Sequence, residues 1–597
     1  MTVHRLAFVL FLLSCVAAAL SPAFALGTTE RVSVSSAGAE ANAGGGTWST
    51  SRCISADGRY VAFQSAATNL APGDTNGCVD LFVHDRDTRV TERVSLSSTG
   101  AEGDSVSWHG AISGDGRYVA FESVATNLVE GDTNGCADIF VHDRETGATE
   151  RVSVSSTGAE GNNHSQYTAI SADGRYVAFL SSATNLVDGD TNGKADMFAH
   201  DRDTGTTERV SVDSAGVEAN DRSSLWPSIS ADGRYVAFMS YASNLVTGDT
   251  NGYSDIFVHD RDTGATERVS VNSAGGQAND DSETPSISAD GRHVAFASAA
   301  TNLVEGDTNW CAGCEDIFVH DRQTGATERA SVDSAGGQAS EYSTSLCPSI
   351  SQDGRYVAFD STATNLVAGD TNGCADTFVH DRQTGATKRV SVSTGGAEAN
   401  NDSWYASISG DGQSVAFQSL ATNLVDGDTN EEWDVFVHGA LPYPVPEVLL
   451  EVHPNERAPG SSTGQVIGGQ AWVRPAHVPG AMYWWKHHRF VGSDALWIQV
   501  CAQNWNAIQN GTGDDDNIRM RIDGFVPVDY DLIQNGPWGA YQWRGDKEHG
   551  HRWALRFLYL GPNPLPVLHA LQFEADETPV VWWVKVTDLE PGVVEAF

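Results

Sequence analysis

The stretch GDTNGCADIFVHDRETGATERVSV, Gly131–Val154, returns almost unchanged at Gly189, Gly248, Gly306 and Gly369, with looser copies at Gly73 and Gly427. Each copy reads as a polar loop, an apolar strand, a tight turn and a second strand. Short runs of Val, Ile, Phe and Thr broken by Asn-Gly and Thr-Gly are hairpin chemistry. Ahead of each copy stands another hairpin, typified by ISADGRYVAF, in which Asp-Gly turns the chain between two strands. Aligned on that turn, the Asp falls at 57, 115, 173, 232, 290, 353 and 411, a period of 58 to 63 residues. No segment carries sustained helical periodicity. Four strands in a repeat of this length predict a β-propeller.

The count of strands predicts the number of blades. A fourth strand begins at Thr29, Thr91, Thr149, Thr207, Thr266, Thr327 and Thr387, and the other three strands also occur together seven times. The series opens on a lone fourth strand, Thr29–Val34, and closes on a unit without one, ending at His438. The N-terminal strand is therefore expected to complete the last blade, closing the ring and covering its exposed edge. The expected fold is all-β: a signal peptide over 1–25, a seven-bladed β-propeller over 28–440, and a jelly-roll-like β-sandwich over 445–597.

ISADGRYVAFxS followed by DIFVHDRxTG resembles the TolB-like, WD-repeat-related propeller repeats of exported bacterial proteins, over residues 28–440. TolB has six blades, so the count of seven departs from it. The resemblance implies the fold and export. Members of the group bind proteins, sugars or peptides, or carry separate catalytic domains, so it leaves activity open.

Composition narrows the partners. With 78 acidic against 36 basic residues, the net charge of −42 repels nucleic acid. The 40% hydrophobic content supplies a core and argues against acid-rich disorder. MTVHRLAFVLFLLSCVAAALSPAFA has one Arg, an apolar run from Leu6 to Leu20 and the Ala23-Phe24-Ala25 pattern of a secretory signal. Cys15 in LLSC gives a rival lipoprotein reading. No later apolar run reaches the roughly 18 residues that span a bilayer. A secreted or periplasmic monomer without a transmembrane segment is expected. In that compartment Cys53 with Cys78, and Cys347 with Cys374, are the expected disulfides, while Cys136 and Cys501 have no evident partner.

Three constellations are candidates for function. The GDTNG loops place oxygen side chains at positions 1, 3 and 7: Asp74, Asn76 and Asp80; Asp132, Asn134 and Asp138; Asp190, Asn192 and Asp196; Asp249, Asn251 and Asp255; Asp370, Asn372 and Asp376; Asp428, Asn430 and Asp434. Calcium takes about six to eight oxygens, which such loops can supply with carbonyls and water. The loops resemble shortened calcium loops of integrin-type propellers, lacking their third acidic position. The competing reading is turn chemistry, Asp and Asn capping their own backbone. Seven His (His84, His142, His200, His259, His320, His380 and His438) recur in the third strand, where separated blades hold them too far apart to share a metal; buried structural His are expected. The Arg after each Asp-Gly, from Arg59 to Arg355, is expected to tie strands within its blade.

The connections entering each first strand vary most and carry Trp48, Trp108, Tyr167, Trp226, Trp404 and Tyr405. They share a face with the GDTNG loops, where aromatics near the channel mouth could stack on a sugar or peptide. The alternative is that they plug the core. The tail holds ten of the sixteen Trp. Its DDDNIRMRIDG, YQWRG and Leu-His near 568 resemble malectin-like carbohydrate-binding modules. That resemblance puts Asp514, Asp515 and Asp516 near a loop calcium and makes Trp505, Trp538 and Trp543 stacking candidates. No catalytic elbow, zinc motif or phosphate loop occurs. An exported glycan- or protein-binding scaffold is the leading expectation; the alternative is a polysaccharide lyase or glycosidase working at the channel mouth.

Overall fold

The computed structural model describes residues 27–46, 52–308, 314–340 and 345–439, together with the backbone of nine strands between 448 and 584. The signal segment lies outside the described residues. The chain divides into two compact units, Met1–Pro442 and Tyr443–Phe597. Among the described residues no helix is long and apolar enough to cross a membrane.

The first unit is seven four-stranded antiparallel sheets, and in six of them each strand pairs with its chain neighbours. Blade 2 shows the pattern: Ser107–Ile112, Tyr118–Ser123, Asp138–Asp143 and Ala148–Arg151. Blade 1 runs from Gly45 to Arg93, blade 3 from Ser165 to Arg209, blade 4 from Ser223 to Arg268, blade 5 from Ser282 to Arg329 and blade 6 from Ser345 to Arg389. Blade 7 takes its first three strands from Ser403–Ile408, Ser414–Ser419 and Asp434–Gly439. Its fourth is Thr28–Arg31, in register Thr29↔His438 and Arg31↔Phe436. First strands of successive blades contact one another, so they line the axis.

Alternation within YVAF explains how the blades stack. Val177 and Phe179 of blade 3, joined by Ile170 and Phe198, pack against Ala111, Ala120, Ile139 and Val141 of blade 2. A large apolar face therefore meets a smaller one across each interface. Blade 1 meets blade 7 the same way, through Val61, Phe63 and Phe82 against Ala416, Val435 and Val437. Inside each blade a Phe pair crosses from second to third strand, as Phe121 with Phe140 at 5.9 Å.

The repeated polar residues join the blades. His142 Nδ1 lies 2.9 Å from Thr149 Oγ1, and that hydroxyl donates to the Leu96 carbonyl of blade 1. The same chain closes the ring through His438, Thr29 and the Val392 carbonyl. The expectation of buried structural His holds: burial holds their pKa below the ordinary range, to about 4 at His84 and His438. Arg117 clasps Asp143 of its own blade through two bonds, at 2.9 and 2.7 Å, as expected. Arg144 reaches Glu92 of the preceding blade at 2.5 Å and lies over its Tyr60 ring, 4.4 Å away. At the bottom of the channel the turn backbones bond in a closed circle: Ala56 to Gly114, Gly114 to Ala172, Ala172 to Ala231, onward to Gly410, with Asp411 returning to Ala56 at 2.9 Å.

Two expectations change. Cys53, Cys78, Cys347 and Cys374 are free thiols, whereas Cys314 is disulfide-bonded. Cys347 is on a first strand and Cys374 leads into a third; Cys53 and Cys78 stand in the same relation across Tyr60–Ser65. Two strand spacings are about 9.5 Å, beyond the roughly 6.8 Å a disulfide spans between Cα atoms. The aromatics Trp108, Tyr167, Trp226, Trp404 and Tyr405 stand on the innermost strands themselves, not on the connections that enter them.

The second unit is β-structured. Trp538–Arg544, Trp553–Tyr559, Leu496–Ala502 and Trp582–Val584 form one sheet; Gln465–Gly468, Leu571–Ala575 and Arg519–Ile522 form another; Val448–Leu450 pairs with Ala471–Val473. Trp538 and Trp543 are on the first of these strands, while Trp505 and Asp514 to Asp516 lie outside the described residues.

Candidate functional site at the channel mouth

The innermost strands of blades 2, 3, 5, 6 and 7 carry one extra residue and that of blade 4 carries two. In blade 3, Gln166 faces Leu180 and Thr168 faces Phe179, so Tyr167 is bulged out of register. The same bulge sets His109, Tyr167, Trp226, Thr284, Cys347 and Tyr405 at φ between 43° and 58°. Left-handed backbone is unfavourable for any side chain but glycine. Six blades hold a non-glycine residue there, and such strain concentrates where a side chain must be aimed. Trp48, in the corresponding part of blade 1, lies outside the described residues.

These positions break the symmetry of the ring. Trp108, His109, Tyr167 and Trp226 form a continuous aromatic arc over blades 2 to 4. His109 stacks on Tyr167 at 4.9 Å, and Tyr167 meets Trp226 edge-on at 5.6 Å. The four side chains are half-buried, with faces or edges left for a ligand. Opposite, blades 5 to 7 present Glu283, Thr284, Glu315, Cys347 and Tyr405. Burial, reinforced by repulsion from Glu283, Asp281 and Asp280, pushes the Glu315 carboxyl up to about 7, and burial with the Asp281 charge raises Glu283. Burial with the nearby Asp360, Glu315 and Glu283 charges raises the Cys347 thiol. Among the described residues, Glu315 Oε2, Thr284 Oγ1 and Trp226 Nε1 are buried without a hydrogen-bond partner.

A second variable position supports the bulges. The residue before Ser in VAFxS is Gln64, Glu122 or Asp360 in blades 1, 2 and 6. Gln64 accepts the amide of His109 at 3.1 Å; Glu122 accepts that of Tyr167 at 3.4 Å and lies 2.9 Å from His109 Nδ1. Asp360 takes the Tyr405 amide at 2.5 Å. Wholly buried, its carboxyl is raised far above the ordinary range despite these bonds. Glu122 and Asp360 are thus positioning residues for the next blade's bulge. His109, Glu122, Glu283, Thr284, Glu315, Cys347 and Asp360 were not among the sequence candidates. Their signal was there to find, since they fill the columns where near-identical repeats differ.

The GDTNG loops make a different arrangement. Asn134 Nδ2 donates to Asp138 Oδ2 at 2.8 Å and to the Gly161 carbonyl, while its Oδ1 accepts the Cys136 amide at 2.6 Å. The equivalent Asn-to-Asp bond ties Asn76 to Asp80, Asn192 to Asp196, Asn251 to Asp255, Asn372 to Asp376 and Asn430 to Asp434, at 3.0 to 3.3 Å. The third carboxylate missing from the loop comes from the connection leaving the same blade. Glu160 accepts the Thr133 amide and hydroxyl at 2.9 and 2.8 Å. The groups Asp74, Asp80 and Glu102; Asp132, Asp138 and Glu160; Asp190, Asp196 and Glu218; and Asp428, Asp434 and Glu40 each bring three carboxylates within 4.8 Å and could hold a metal ion. In blades 4 and 5 Gln277 and Gln338 stand where the others have Glu.

An arginine of the fourth strand already occupies each centre. Arg151 Nη1 is 2.6 Å from Glu160, 3.5 Å from Asp138 and 3.6 Å from Asp132. Arg31, Arg93 and Arg209 repeat this in blades 7, 1 and 3. Burial and the charge of Asp138 lift Asp132 to about 6. Burial opposes ionisation of Glu160 as well, but the Thr133 bonds and Arg151 bring it down to about 2. Three carboxylates and one guanidinium leave a net charge of −2, with the Asn oxygen engaged in the turn.

No protein-family model and no curated protein matches the chain. Among solved structures, it is similar to an oligogalacturonate lyase in complex with manganese, at 13% identity over 69% of this chain and 93% of that one, with a TM-score of 0.42. It is similar to a TolB from Agrobacterium tumefaciens at 16% identity over 60% and 96%, TM-score 0.32. The propeller domain of the Trilobed protease from Pyrococcus furiosus gives 13% over 64% and 94%, TM-score 0.38. These are likenesses of propeller architecture, and no activity passes from them to this chain.

Proposed function

We propose that the protein is an exported, non-catalytic binding protein whose ligand is a glycan seated at the channel mouth. One observation carries this reading. Seven blades share nearly every residue, and side chains that differ are gathered on the innermost strands, with Glu315 at the start of a third strand beside them, as an aromatic arc facing a polar one. Aromatic faces stack on the apolar face of a pyranose ring, and a rigid ring of sheets orients them with little entropy left to lose on binding. The C-terminal unit serves in this reading as a second sugar-binding module. Calcium, where it binds, competes with the arginine of the GDTNG loops and supports the scaffold. A glycan array on the intact chain tests the proposal, with Tyr167→Ala and Trp226→Ala as comparisons. The expected result is binding to a restricted glycan set that both substitutions weaken by tenfold or more, about 1.4 kcal/mol. Binding indifferent to both overturns it.

A carbohydrate-active enzyme is the second reading, and Glu315 favours it. A carboxyl held near neutrality with an unpartnered oxygen can deliver a proton to a leaving group. Release of reducing ends from a polysaccharide panel, lost in Glu315→Gln, would establish it.

A further inference from the structure

Building on the glycan reading, we propose that the ligand at the channel mouth is cationic, an amino sugar whose ammonium group is taken by Glu283 and Glu315. The innermost strands of blades 2 to 7 contain no Lys or Arg; the corresponding segment of blade 1 carries Arg52, whose buried Nη2 has no partner among the described residues and whose pKa burial lowers with no carboxylate acting on it. On the same face Lys194 pairs with Asp221 and Arg222 stacks on Tyr241, so these cations are engaged elsewhere. Glu122 and Asp360 have their donors within the protein. Glu283 and Glu315 have none among the described residues: Glu315 faces the charges of Glu283, Asp281 and Asp280, Glu283 faces that of Asp281, and Glu315 Oε2 is buried without a donor. Thr284 adds an independent mark. It is 95% buried, and its Oγ1 has no partner. It stands at the bulge position from which His109, Tyr167 and Trp226 meet around the axis.

Such a constellation suits one bound group. An ammonium has three donors and no acceptor, matching a carboxylate oxygen and a hydroxyl oxygen that both lack a donor. Its charge relieves the repulsion within the carboxylate group, in surroundings where solvent screens little. The facing aromatic arc attracts a cation through its ring faces and also stacks the sugar that carries it. A uronic acid would meet the same carboxylates with like charge.

The test uses the full chain and two probes that differ in one group: a glucosamine oligomer and its N-acetylated counterpart of equal length, titrated by calorimetry at neutral pH. The expected result is tighter binding of the free amine by tenfold or more, weakening with salt. Glu283→Gln and Glu315→Gln should each bring the ratio of the two affinities toward one. Equal affinities, or preference for the acetylated oligomer, overturn the charge assignment and leave the glycan reading standing. If neither oligomer binds and a lysine peptide does, the mouth belongs to a protein ligand and both proposals fall.

Discussion

Arg151 shows how much one side chain decides here. Its guanidinium is the cation shared by Asp132, Asp138 and Glu160, and it is nearly buried with them. Arg151→Gln should cost about 2–3 kcal/mol, because it leaves close carboxylates without a counter-charge. Millimolar calcium should then raise the melting temperature of this variant while leaving the parent protein unchanged. A parent melt that drops in chelator would instead make calcium resident alongside the arginine. His142 makes a pH argument of the same kind. Its folded pKa lies below the unfolded value of about 6.5, so the unfolded chain binds the proton first and stability is lost as pH falls. Asp132 and Asp428, raised to about 6, act with opposite sign, contributing stability at low pH that is lost as pH rises. A comparison of variants separates the two: His142→Asn keeps a donor for Thr149 but no titration. Its melting temperature should fall less than that of the parent between about pH 6.5 and 5.

At the scale of the element, the Asp-Gly turn does two jobs. Gly116 has φ 75°, and a Cβ there would stand 2.1 Å from the Tyr60 ring of the neighbouring blade. Gly131 has φ 80° with open space around it. Gly131→Ala should therefore cost about 1 kcal/mol of backbone strain, and Gly116→Ala clearly more than 2, measured by chemical denaturation. The closing strand is the other element on which the fold turns. Thr28–Arg31 supplies the fourth strand of blade 7, and Val32 joins the core between blades 7 and 1. Removing residues 28–34 should lower the melting temperature sharply; an unchanged melt would mean that the ring closes without it.

For the whole molecule, two compact units predict two calorimetric transitions, and a chain ending at residue 442 should lose one and keep the other. Residues 443–597 alone should melt as a β-rich domain and retain any sugar binding of their own. A single transition shared by both units would show that they fold as one. Within the propeller, blade 7 lacks the Arg–Asp clasp that the other six blades carry. Gln413 and Gly439 replace the Arg and Asp that clasp the second and third strands of the other blades, so these two strands are expected to show the earliest amide exchange.

The repeat was legible because its reasons are local. Alternation in RYVAF, Asp-Gly and Thr-Gly turns, and a fourth strand displaced to the N-terminus dictate seven blades and their closure, since each depends on neighbours along the chain. The structural roles of His142 and Arg117 followed from the same periodicity. What the tertiary structure decided involves residues far apart in sequence. Glu160 completes the group of Asp132 and Asp138 from 22 residues beyond Asp138, and Arg151 enters its centre from another strand. Cys347 and Cys374 fit a disulfide by repeat position but are held apart by an intervening strand. The bulge that turns Tyr167 and Trp226 toward one another, opposite Glu283 and Glu315, arises only when seven first strands meet around an axis, because each wall of that site belongs to a different blade.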